Sequence, residues 1–312
     1  MKFLEILKII LFGIVEGITE WLPVSSTGHV ILLDYFLPLQ DVSPAFKDVF
    51  DYVIQLAAIL AVVVLFWKQI FPFQIKNSSA TKTENAQPET ENTEKNDGYF
   101  PLIKMKKTQL VADMGILKLW LKVVLACVPA VLALFIDQLF ENFSPLVESL
   151  IIACALIFYG VVFIVIETLY KKEAKIKQVS ALSYRYAFFI GCFQVLAAIP
   201  GTSRSGITII GALLLGLSRT TATEFTFFLA IPTMVGASGY KLLKFFLDGG
   251  SATSAEIGYL IIGSIVAFAV SLFAVKFLMN FVKKHDFKAF GWYRIALGFI
   301  VIAAMVIPFL IK

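Results

Sequence analysis

The chain has 312 residues, of which 59% are hydrophobic and 14% aromatic, and it carries a formal net charge of +5. A mean hydropathy of +0.84 excludes an ordinary soluble domain and points to helices that span a bilayer. The positive balance does not indicate nucleic acid, because the lysines gather in short segments between apolar runs, where they set topology. Cys127, Cys154 and Cys192 lie in apolar runs without CxxC or His spacing, so no disulfide or zinc site is expected. Glu5, Lys8, Glu16 and Glu20 interrupt the N-terminal apolar run, which therefore reads as retained rather than as a cleaved leader.

Taken in order, residues 3–36 predict a helix, a polar turn and a second helix. Pro23 stops the first helix, and Ser25, Ser26, Thr27 and Gly28 form the turn. With that turn at mid-membrane, both arms return to one face as a re-entrant hairpin. Residues 50–67 predict the first span. Residues 74–112 read as a polar cytoplasmic loop, disordered around 76–97, where no apolar residue larger than alanine occurs apart from Pro88. Spans are expected at 117–136 and 150–169, and Lys171, Lys172, Lys175, Lys177 and Arg185 mark the inner face. A second re-entrant hairpin follows at 186–217. Further spans are expected at 225–247, 257–277 and 292–310, with Lys283, Lys284, Lys288 and Arg294 inside. The prediction is one all-α polytopic membrane domain of residues 1–312, with about six transmembrane helices plus two re-entrant helix-turn-helix hairpins.

The two halves, 1–70 with its neighbours and 184–312, look duplicated. Displaced by 178 positions, Gly13 falls on Gly191, Glu16 on Gln194, Ser25 on Ser203, Thr27 on Ser205 and Gly28 on Gly206. On the charge-derived topology the hairpins enter from opposite sides, as in an inverted-topology repeat that builds a polar site near the midplane.

The chemistry is concentrated in those two bends. Glu16 and Glu20 are four residues apart and share a helix face, so they need a proton, a cation or a basic group between them. Ser25, Ser26, Thr27, Gly28 and His29 follow. The second bend presents Gly201, Ser203, Arg204, Ser205, Gly206 and Thr208, in which a guanidinium fork, hydroxyls and helix-start amides suit phosphate. Taken singly, each residue has a plainer reading: Glu16 with Arg204 as structural glue, the hydroxyls as helix caps, His29 bonding a backbone carbonyl. Their convergence in two related bends favours metal-assisted phosphoryl transfer.

The stretches Glu16–Gly17–Ile18–Thr19–Glu20, Leu22–Pro23–Val24–Ser25–Ser26–Thr27–Gly28–His29 and Pro200–Gly201–Thr202–Ser203–Arg204–Ser205–Gly206–Ile207–Thr208 resemble the signatures of the bacterial undecaprenyl-diphosphate phosphatase family, the bacitracin-resistance type. The resemblance implies a multi-pass enzyme of the bacterial inner membrane that removes the terminal phosphate of a polyprenyl diphosphate lipid for cell-envelope and peptidoglycan synthesis. It also implies a divalent cation, Mg2+ or Ca2+, and a site open to the outer face. Carried over, Glu16, Glu20, Ser26, His29 and Arg204 are the catalytic set, with Glu16 and Glu20 expected to bind the cation or to take a proton. Ser25, Thr27, Gly28, Gly201, Ser203, Ser205, Gly206 and Thr208 bind phosphate. The attacking group stays open between Ser26, His29 and water. The competing reading is a secondary transporter of an anion or lipid phosphate built on the same repeat. Oligomeric state is not legible.

Overall fold

The computed structural model describes residues 2–77, 99–104, 108–140, 143–169 and 173–308. Helix α1 (Phe3–Thr19) leads into a tight turn through Pro23, and α2 (Ser26–Phe36) leaves it. Ser43 caps α3 (Pro44–Leu65) by accepting from the Phe46 N–H, with Pro44 in the first turn, where its missing N–H costs nothing. A short helix α4 (Trp67–Ile70) ends this half of the chain's first apolar unit.

Next comes a feature the all-α expectation missed. Strands β1 (Phe73–Asn77), β2 (Tyr99–Lys104) and β3 (Thr108–Asp113) form an antiparallel sheet in the order β1-β3-β2. The flanks of the polar loop hold short runs of β-favouring residues that pair across it, pairing Phe73 with Ala112 and Tyr99 with Asp113. The disorder expected around 76–97 concerns residues that, from 78 onward, lie outside the described residues.

Asp113 then caps α5 (Met114–Cys127), accepting from Gly115 and Ile116 N–H at 2.8 and 3.2 Å. The span expected at 117–136 is broken: α5 passes through a turn at Val128, Pro129 and Ala130 before α6 (Val131–Phe140), because Pro129 has no N–H for the helical ladder. Then follow α7 (Pro145–Leu169), α8 (Tyr184–Val195), α9 (Arg204–Leu214), α10 (Arg219–Leu247), α11 (Ser254–Val282) and α12 (Lys288–Val301), the last continued by a π-helical turn at Ile302–Val306.

Among the described residues, five segments are long and apolar enough to cross a bilayer: Pro44–Leu65, Met114–Ala133, Pro145–Leu169, Ser254–Val282 and Lys288–Val306. Helix α10 is as long as α11 at 29 residues but is diluted by Thr226, Pro232, Thr233, Gly236, Ser238, Gly239 and Lys241, and the span expected at 225–247 is not among them. Apolar side chains face outward along these helices, among them Leu60, Leu121, Phe158, Ile265 and Phe273, as in a multi-pass membrane protein.

Packing repeats the duplication seen in the sequence. Helix α1 lies on α11 and α8 on α5; α3 meets both α10 and α11, while α10 meets α5; α2 touches α12 and α9 touches α7; α7 runs along α12. Exchanging α1 with α8, α2 with α9, α3 with α10, α5 with α11 and α7 with α12 maps this set of contacts onto itself. Small residues make the close crossings possible. A Cβ on Gly13 would sit 2.8 Å from the Gly263 carbonyl, and one on Gly160 would sit 2.7 Å from that of Gly291.

Each hairpin returns to the end from which it starts. Near the start of α1, Glu5 accepts from the Gln40 N–H and Lys8 donates to the Pro38 carbonyl, just beyond α2. Lys2 joins this end through Asp41, whose hydrogen bond raises the lysine pKa, and Ser43 joins it through Glu256. A second end gathers the termini of α7, α9 and α10: Glu167 takes both a bidentate bond from Arg219 and the Phe287 N–H, and Lys175 N–H donates to Gly216. One end thus joins the segments around Lys2, Gln40, Ser43 and Glu256, and the other those around Glu167, Lys175, Gly216, Arg219 and Phe287.

Candidate active site

The two turns adopt the same backbone. Ser25 has φ 74° and Ser203 has φ 69°, the described non-glycine residues with positive φ. Each serine hydroxyl accepts from the amide three residues on, Gly28 N–H at 3.4 Å and Gly206 N–H at 3.2 Å. Such a conformation is costly for a residue with a Cβ and persists only where surrounding contacts impose it. Here it places the starts of α2 and α9, whose first amides favour an anion, at the two turns.

Side chains lock the turns together. Ser205 Oγ reaches the Glu20 carbonyl at 3.2 Å and the Leu22 carbonyl at 3.4 Å. Arg294, fully buried, donates to Pro23 O at 3.4 Å from Nη1, and to Gly201 O at 2.9 Å and Thr202 O at 3.0 Å from Nη2. Its guanidinium also lies over the Tyr159 ring. Arg294 was expected to mark the inner face; instead it is the clamp between the turns. Its place within the apolar run that follows Lys288, rather than beside the lysines, was the available signal.

Within the cleft, Glu20 joins both halves. Its Oε2 accepts from Ser26 Oγ at 2.9 Å and its Oε1 from Arg204 Nη2 at 2.5 Å. Among the described residues Arg204 bonds only through Nη2, so Nε and Nη1 remain for an anion, and its side chain is 21% exposed. Thr27 is exposed at the start of α2. Gly28 and Gly201 are needed for space: Cβ atoms there would stand 3.0 Å from Leu156 Cδ1 and 2.7 Å from the Ile152 carbonyl.

His29 is held at both nitrogens, Nδ1 2.7 Å from Ser25 O and Nε2 2.7 Å from the Tyr293 hydroxyl, with the two rings stacked. Tyr293 was not singled out in the sequence. Thr208 and Ser205 depart from the expected phosphate-binding role. Thr208 Oγ1 donates to Arg204 O at 2.9 Å and accepts from Thr226, so it serves the α9–α10 contact, while Ser205 is spent on the opposite turn.

Glu16 is 1% exposed, and its Oε1 has no hydrogen-bond partner among the described residues. It lies within hydrogen-bonding reach of Glu20, so two carboxylates meet beside the one guanidinium of Arg204, which bonds to Glu20. This donor set fits a hard divalent ion. No cluster of three or more His, Cys, Asp or Glu side chains that could hold a metal occurs among the described residues, so Glu16 and Glu20 are the two carboxylates at the turns that could contribute to one.

The family model described as bacitracin resistance protein BacA matches residues 9–300. The chain is 52% identical over 304 residues to an undecaprenyl-diphosphatase of Enterococcus faecalis, covering 97% of this chain and 98% of the relative. It is 49% identical to an undecaprenyl-diphosphatase of Lachnoclostridium phytofermentans, covering 96% and 97% of the two chains. It is 47% identical to one of Streptococcus equi subsp. zooepidemicus, covering 97% of each. With its paired hairpins and their converging acid, serine, histidine and arginine, the chain belongs to the bacitracin resistance protein BacA family.

Proposed function

We infer that this protein is an undecaprenyl-diphosphatase, hydrolysing the terminal phosphate of undecaprenyl diphosphate to undecaprenyl phosphate and inorganic phosphate. The observation that carries the reading is the Ser26–Glu20–Arg204 contact, a hydroxyl on a carboxylate that is itself held by a part-exposed guanidinium. Nothing in the contact pattern favours a transporter over this arrangement of nucleophile, base and anion clamp.

In the mechanism we propose, Arg204 and the first amides of α2 and α9 hold the terminal phosphate. Ser26 Oγ forms a bond to its phosphorus as Glu20 accepts the hydroxyl proton, and the bond from phosphorus to the bridging oxygen breaks to release the lipid monophosphate. Water then cleaves the serine phosphate. Ser26 is preferred to His29 because both histidine nitrogens are already bonded. Glu16 and Glu20 would hold a Mg2+ or Ca2+ ion, which supplies charge neutralisation for the phosphate oxygens.

Six spans, formed by α3, α5 with α6, α7, the less apolar α10, α11 and α12, cross the cytoplasmic membrane in this reading, and the two hairpins are re-entrant from opposite faces. The end bearing Asp41 and Glu256 faces outward, and the cleft opens there. The test is phosphate release from undecaprenyl diphosphate by detergent-purified protein. Chelator-sensitive release that is lost in Ser26→Ala, with 32P retained on wild-type serine after quenching, supports this reading. Absence of release from folded wild type would overturn the activity, and full turnover by Ser26→Ala would overturn the nucleophile.

A further inference from the structure

The bonds around His29 determine where its proton sits. The Ser25 carbonyl can only accept, so Nδ1, 2.7 Å away, carries the hydrogen. A neutral ring then has its lone pair at Nε2, and the Tyr293 hydroxyl, also 2.7 Å away, donates to it. If the ring gains a second proton, Nε2–H donates to the phenolic oxygen instead, so the same contact serves both states. The stacked rings fix the imidazole plane at 10° to the phenol. Tyr293 is 48% exposed, while the neighbouring Arg294 on α12 is fully buried in the clamp on both turns.

We propose that Tyr293 is a positioning residue for the reaction: through its hydroxyl and its stacked ring it holds His29 as the Nδ1–H tautomer, braced on the Ser25 carbonyl beside Ser26, with Nε2 as a proton acceptor linked to the open side of the cleft. The titratable and charged groups that face His29 are Tyr293, bonded to Nε2, and Arg294, next to it on α12. Among these, the hydrogen-bond partner of the ring is Tyr293.

The effect on turnover rests on the phosphatase reading, whereas the tautomer is read without substrate. The chain has 2 histidines, so 15N-histidine labelling gives two rings, assigned by His285→Gln. Expected for wild type is a protonated Nδ1 and a hydrogen-bonded, unprotonated Nε2 at His29. Tyr293→Phe keeps the stack, moves the Nε2 resonance to that of an unbonded nitrogen, shifts the pH–rate profile and lowers kcat about tenfold with KM unchanged. In a His29→Gln background it changes nothing further. An Nε2–H tautomer in wild type, or an unchanged resonance and pH profile in Tyr293→Phe, would overturn the proposal. Loss of folding in the variant leaves the wild-type tautomer as the deciding measurement.

Discussion

Arg204 and Glu20, 184 residues apart, meet at 2.5 Å between Nη2 and Oε1, and through this pair the two halves of a duplicated chain share one site. The pair is asymmetric in exposure, 21% for Arg204 and 8% for Glu20, so the arginine faces the cleft while the carboxylate supports it. Lysine cannot reproduce a fork that holds Glu20 and a phosphate together. Arg204→Lys is expected to lower kcat/KM about a hundredfold or more in phosphate-release assays, with unaltered thermal unfolding.

Removing the Arg294 clamp should act on stability first. Arg294→Met strands three carbonyls, those of Pro23, Gly201 and Thr202, in a water-poor interior. Leaving buried acceptors unsatisfied costs about 1–3 kcal/mol each before relaxation. A fall of several degrees in the detergent melting temperature, with turnover lost even below the transition, is the expected result. An unchanged melt would show that the turns hold without it.

Gly201 combines a positive φ with a close backbone neighbour. Its φ is +85°, and a Cβ would stand 2.7 Å from Ile152 O. Gly201→Ala should therefore destabilise by about 1–3 kcal/mol and displace the Arg204 turn from α7. Unfolding measured beside Gly239→Ala, where nothing lies within 4 Å of the added atom, separates local strain from a general loss of chain flexibility.

Divalent cation dependence is the test of the ion proposed at Glu16 and Glu20. Chelation should abolish phosphate release, and Mg2+ or Ca2+ should restore it. Glu16→Gln removes one of two repelling charges and the orphaned Oε1 acceptor, so it should leave the fold at least as stable while raising the cation concentration needed for half-maximal activity. Equal cation dependence in Glu16→Gln and wild type would place the ion elsewhere.

Sidedness is testable at Thr27, exposed at the mouth of the first turn. In a chain whose Cys127, Cys154 and Cys192 are replaced, Thr27→Cys should react with an impermeant maleimide added outside intact cells. Protection by a polyprenyl diphosphate would tie that accessibility to the site. Labelling only after the membrane is opened would reverse the orientation.

What the chain states by itself is what depends on local chemistry. Apolar runs require helices because the bilayer leaves no backbone group unpaired. Pro23 and the serine-rich turns announce the hairpins, and the spacing of Glu16, Glu20, Ser26, His29 and Arg204 announces phosphate chemistry. The duplication was readable too, since the same turn needs the same small and hydroxyl residues twice. The sheet at 73–113 was not, because its strands are stabilised by one another across a long polar insertion.

Tertiary structure alone decided which equivalent groups do different work. Ser25 and Ser203 keep matching caps, yet Ser26 lies on Glu20 while Arg204, its counterpart in the repeat, holds that same carboxylate from the other side. Arg294 and Tyr293 are adjacent on α12, but one turns inward to three carbonyls and the other toward His29. A residue type fixes what bonds a side chain can make, whereas partners hundreds of positions away fix which bonds it makes. In an interior with little water, every donor is bound to follow the acceptor that packing brings to it.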